Sequence, residues 1–94
     1  MNNSTDATDA TIIRETILVA INDNRPAPLN MKSIALRVRH AAAIEIDDKG
    51  LGQHIDWLVR KGWLQVEKGR FHAGNVCYEI TCDGIEKLEE GGLA

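Results

Sequence analysis

The stretch Ile46-Asp47-Asp48-Lys49-Gly50-Leu51-Gly52-Gln53-His54-Ile55-Asp56-Trp57-Leu58-Val59-Arg60-Lys61-Gly62-Trp63 decides the fold. Leu51, Ile55, Leu58 and Val59 recur at the i, i+4, i+7, i+8 spacing that gathers apolar side chains on one helical face. Asp47 or Asp48 supplies an N-cap oxygen and a charge suited to the positive end of the helix dipole. Arg60 and Lys61 suit the negative end, and Gly62 fits the left-handed position that follows many helices. The other face carries Lys49, Gln53, Asp56, Trp57 and Arg60. One amphipathic helix is expected, its outward face turned either to a partner or to water.

After Gly62 the period changes from helical to alternating. Residues 63–68 read as a strand and residues 76–81 as its antiparallel partner, joined by a loop with Gly69 and Gly74 near its ends. Thr81 can cap a last helix over 83–90, with Ile85 and Leu88 inward, and Gly91-Gly92 stops it. On the N-terminal side, residues 1–8 are small and polar and read as a frayed tail. A helix then starts at Thr8 or Asp9 and runs to about Asn22, with Ile13, Ile17, Ala20 and Ile21 as its stripe and Ile12 and Val19 beside it. Pro26 and Pro28, among asparagines, forbid its continuation. Leu29-Asn30 reads as a staple residue and an N-cap for a second helix from Met31 to about His40 or Ala43. Ile34, Ala35 and Val38 face inward from it; Lys32, Arg37 and Arg39 face outward. Ile44-Glu45-Ile46 is a short extended link. One domain over residues 9–90 is expected, between tails at 1–8 and 91–94.

Charge is distributed unevenly. The net charge is −3. Residues 25–72 nevertheless hold nine cations against five carboxylates, between segments with one cation against four (1–24) and one against five (73–94). All three histidines lie in that basic middle. Such a partition favours an anionic partner for the centre of the chain. No apolar run approaches a membrane span, and the N-terminus lacks the basic and apolar regions of a signal peptide. A soluble, cytoplasmic protein is the expectation. Two cysteines, Cys77 and Cys82, are too few for a disulfide framework.

Three helices, a β-hairpin and a closing helix make an α+β order that resembles the winged helix-turn-helix domain. Two local patterns carry the resemblance. Leu58-Val59-Arg60-Lys61-Gly62-Trp63-Leu64 is similar to the junction where the family's third helix ends in glycine and enters the wing. Tyr78-Glu79-Ile80-Thr81-Cys82-Asp83-Gly84-Ile85 is similar to the second wing strand running into a threonine-capped helix. The hairpin is marginal alone, so its Leu64, Val66, Tyr78 and Ile80 face should pack on the helices. The resemblance implies a small bacterial or phage DNA-binding protein, a transcription regulator acting on double-stranded DNA, often as a homodimer. By position, Lys49, Gln53 and Arg60 would enter the groove, and Lys32, Arg37 or Arg39 would meet the backbone. Lys68, Arg70 and His72 would take the wing's phosphate or minor-groove role. Glutamine can pair bidentately with adenine, and arginine with guanine or phosphate. The acidic first and last helices would be the dimer surfaces.

Other readings weigh differently. Asp47, Asp48 and Asp56 burden the third helix as a neighbour of phosphate, and Gly50 and Gly52 weaken its first turns. Those acids, with Trp57 and Trp63, favour the alternative of a winged helix used as a protein-interaction module in a phage or other multiprotein assembly. Trp57 reads as the edge of the core against the second helix, and Trp63 as a hairpin residue packed beside the helices. His72, Cys77 and Cys82 fall short of the four ligands of a closed zinc site. Gly50-x-Gly52 follows no strand and lacks the third glycine of a dinucleotide loop, so no cofactor is expected. No local spacing pairs a nucleophile with a base, so no enzyme is expected either.

Overall fold

Among the described residues, four helices and three short strands share one apolar core. The computed structural model describes residues 3–42, 44–68 and 76–92. The order is α1 (Asn3–Asp23), β1 (Leu29–Asn30), α2 (Met31–Ala42), α3 (Asp48–Arg60), β2 (Leu64–Lys68), β3 (Val76–Ile80) and α4 (Cys82–Glu90). Ile17, Ile34, Val38, Leu51, Ile55 and Leu58 have no exposed surface, and no charged side chain is buried among the described residues. Leu64, Ile80 and Leu88 close the core from the sheet and α4.

Several boundaries move. α1 begins at Asn3 rather than at Thr8 or Asp9, because residues 3–8 contain no glycine or proline to stop a helix. Its core stripe takes in Leu18, 2 % exposed, while Ile12 is 38 % exposed. Leu29-Asn30 is a third strand as well as a helix entry. Leu29 pairs with Tyr78 and Asn30 with Cys77, so β3 becomes the central strand in the order β1-β3-β2. The expected N-cap holds too, with Ser33 N donating to Asn30 Oδ1 at 2.9 Å. β2 and β3 pair in the register Leu64↔Ile80 through Lys68↔Val76. Of the described hairpin residues, Leu64 and Ile80 are in the core and Tyr78 packs partly buried against it, whereas Val66 is 47 % exposed.

The junction around Gly62 follows from local chemistry. Gly62 has φ +82°. Trp63 N donates to Leu58 O at 3.1 Å and Gly62 N to Val59 O at 3.0 Å, the paired bonds of a Schellman helix end. Thr81 then ties this end to α4. Its hydroxyl donates to Gly62 O at 2.6 Å and accepts from Gly84 N at 3.1 Å. Its backbone N–H donates to Trp63 O at 3.0 Å. α3, the hairpin and α4 therefore meet at one hydrogen-bonded point.

Candidate nucleic-acid interface

α3 has one buried face, one outward face and a margin turned to α1. Leu51, Ile55 and Leu58 hold it to the core. Lys49, Gln53, Asp56 and Arg60, at i, i+4, i+7 and i+11, are all exposed and share the opposite face. Lys49 and Arg60 are separated by about 16 Å of helix at 1.5 Å per residue. Asp56 lies close enough to β3 to act on Tyr78: burial first, then the Asp56 charge and Cys77, raise the Tyr78 hydroxyl above its ordinary pKa.

The acidic start of α3 is largely occupied within the fold. Asp47 is the N-cap, its carboxylate accepting from Gly50 N at 2.7 Å. Asp48 accepts from Arg39 Nη2 at 2.9 Å. Arg39 Nε and Nη2 also both donate to Ile46 O at 3.1 Å, which fastens α2 to the link before α3. Arg39, expected at a phosphate, is thus engaged inside the protein. Arg37 likewise donates to Asn24 Oδ1 at 3.1 Å. Lys32 is exposed near the start of α2. Lys68 ends β2 opposite Val76. The expectations for Arg70 and His72 lie outside the described residues.

The margin toward α1 carries contacts with no local signature. Arg14 of α1 donates from Nε to His54 Nδ1 at 3.2 Å, across 40 residues of sequence. Its Cζ lies 3.8 Å from the Trp57 ring centre. Burial first, and then the Arg14 charge, hold His54 below the ordinary histidine pKa, so the neutral ring accepts the bond. Trp57 is half-buried and packs against the core, with Arg14 of α1, Lys61 and Trp63 beside it; the indoles meet edge to face at 5.7 Å. Trp63 is half-buried beside the helices, as expected. Cys77 and Cys82 are free thiols, and no group of three His, Cys, Asp or Glu among the described residues comes together to hold a metal. No helix of the described residues is long and apolar enough to cross a membrane.

No protein-family model matches the chain, and no curated protein matches it in sequence. Solved structures do resemble it. A PadR family transcription regulator from hypervirulent Clostridium difficile superposes with a TM-score of 0.69 at 16 % identity, covering 85 % of this chain and 82 % of that one. A winged-helix DNA-binding protein from STIV gives 0.64 at 20 % identity, covering 84 % and 80 %. Human N-acetylserotonin methyltransferase in complex with SAM gives 0.55 at 18 % identity, but only 21 % of that chain is matched. The first two likenesses span most of both chains and establish an α+β winged-helix fold.

Proposed function

We propose, with the winged-helix fold as premise, that the protein binds double-stranded DNA as a cytoplasmic transcription regulator of bacterial or phage type. The observation that carries this reading is the outward face of α3. Lys49, Gln53 and Arg60 are exposed on one line, backed by a helix face with no exposed surface, next to a two-stranded wing. Gln53 has the donor and acceptor needed for adenine, and Lys49 and Arg60 suit guanine or phosphate. Two structural neighbours, one a transcription regulator and one a DNA-binding protein, support the same direction. Lys32 in α2 and Lys68, Arg70 and His72 of the wing would extend the contact to the backbone. A homodimer would double this small footprint.

A titration with mixed-sequence duplex DNA at low and moderate salt tests the reading. Binding should weaken as salt rises, because each neutralised phosphate releases counterions. Arg60→Ala combined with Arg70→Ala should weaken it further at fixed salt. Absence of binding at low salt, or a flat salt dependence, removes the electrostatic basis. The alternative is a protein-interaction role, in which Leu36 of α2, 63 % exposed, would be an apolar contact residue. Recovery of a stoichiometric protein partner, with no DNA retained at low salt, would select that role.

A further inference from the structure

Away from the outward face of α3, helices α1 and α4 and the C-terminal part of α3 border an open-mouthed cavity of about 420 Å³. Leu18 and Leu88 form its buried apolar wall, and the Trp57 and Trp63 indoles its aromatic side. Three cations gather on those two rings. Arg14 Cζ lies 3.8 Å from the Trp57 centre, Lys61 Nζ 5.2 Å from Trp57 and 6.0 Å from Trp63, and Lys87 Nζ 5.2 Å from Trp63. Glu15 and Glu90 also line the cavity, yet the one ion pair among the described residues is Arg39 with Asp48. The three cations therefore rest on ring faces rather than against carboxylates.

We propose that this cavity binds a small amphiphilic anion. Its apolar body would lie against Leu18, Leu88 and the indoles, with its anionic head between Arg14 and Lys87. The volume falls within the range of about 300–1,000 Å³ typical of small-molecule sites, which pair an apolar lining with a few placed polar groups. An anion gains charge-assisted hydrogen bonds from ammonium and guanidinium groups, whereas a neutral ligand of the same shape leaves those donors unused. Arg14 links the site to α3, since its Nε is already bonded to His54, adjacent to Gln53 on the outward face. The binding itself stands independently of any DNA contact.

Trp57 and Trp63 are the only tryptophans, so intrinsic fluorescence reports occupancy directly. The full chain is titrated with anilinonaphthalene sulfonate, an amphiphilic anion, and with uncharged phenylnaphthylamine of nearly the same apolar body. The sulfonate should saturate at one per chain, with energy transfer from tryptophan. The neutral dye should bind about tenfold more weakly, the worth of a single hydrogen bond to a charged group. Lys87→Ala, at an exposed position, should weaken the sulfonate by about tenfold while leaving the neutral dye unchanged. Equal affinities for the two dyes, or full sulfonate affinity in Lys87→Ala, overturns the proposal. So does sulfonate affinity that falls as protein concentration rises, because a second copy would then be the occupant.

Discussion

Gly84→Ala perturbs the point where α4 meets the end of α3 and the wing. Gly84 is buried in the first turn of α4, next to the backbone of Trp63. A Cβ there would fall inside the van der Waals surface of the Trp63 carbonyl oxygen and 2.7 Å from Ile80 Cγ1. Ile80 can adjust its rotamer, but the carbonyl is pinned. Trp63 O accepts from Thr81 N at 3.0 Å, and Trp63 N donates to Leu58 O at 3.1 Å. Adding a methyl to a filled core costs about 1–3 kcal/mol, and a backbone partner puts this case at the upper end. Better helix propensity of alanine offsets up to about 1 kcal/mol. The net loss is about 2 kcal/mol, a fall in Tm of roughly 8–16 °C for a domain of this size. Gly52→Ala is the matched control, since its Cβ would meet only Met31 Cε, at 3.5 Å. There the propensity gain stands alone, and Tm should rise by roughly 2–8 °C. Thermal melts followed by circular dichroism read both variants, and urea midpoints should move in the same directions at constant m. A Gly84→Ala protein as stable as the parent, or both variants shifting the same way, refutes the account of this joint.

Thr81→Ala removes both the cap of α4 and the hydroxyl bond to Gly62 O, so a loss of about 1–2 kcal/mol is expected in urea unfolding; Thr81→Ser should recover most of it. Arg39→Ala should cost about 0.5–1 kcal/mol, because its partners are exposed but include a backbone carbonyl as well as Asp48. That loss should persist in high salt to the extent that the Ile46 bonds carry it, and a loss abolished by salt would contradict the arrangement. His54 gives a pH dependence. Its folded pKa lies below the unfolded value, so the unfolded chain takes up the proton first. The His54 contribution is complete above the ordinary histidine pKa and is lost as pH falls through the depressed folded value. His54→Gln keeps an acceptor for Arg14 and cannot titrate, so its Tm should decline less between neutral and mildly acid pH; parallel declines count against the pairing.

The readable parts of the sequence were those governed by local period and local chemistry. Leu51, Ile55 and Leu58 announced a core face by spacing alone, and each has no exposed surface. Gly62 and Thr81 were legible because a left-handed glycine and a capping hydroxyl act on neighbours within a few residues. The third strand was not, since two residues carry no alternation, and only pairing with Tyr78 and Cys77 makes Leu29-Asn30 extended. Leu18 lay within an unbroken apolar run where several faces fit equally well. Val66 kept the correct parity but sits beyond the reach of the helices on an edge strand. His54 and Trp57 are neighbours by helical spacing, but Arg14 meets them only through tertiary packing, and no spacing rule brings it there.

The same tertiary contacts change how the charge of α3 bears on DNA. As a string, the helix sets three aspartates against Lys49 and Arg60. In the fold, Asp47 caps its own helix and Asp48 faces Arg39, which leaves Asp56 as the carboxylate on the outward face. Arg39 and Arg37 already hold partners within the protein, so on the helices the expected cations that none of the described hydrogen bonds engages are Lys32, Lys49 and Arg60. With about 0.9 counterion released per neutralised phosphate, those three give a log–log salt slope of roughly −2.7 per copy. A slope near that value would mean that one domain binds through its two helices alone. A slope of roughly twice that value requires either the wing cations or a second copy. Measuring it again in Lys68→Ala/Arg70→Ala separates the two sources: a dimer keeps a doubled helix term, whereas a wing-dependent monomer falls back to the smaller slope. A slope unaffected by Lys49→Ala/Arg60→Ala would move the DNA contact off α3 altogether.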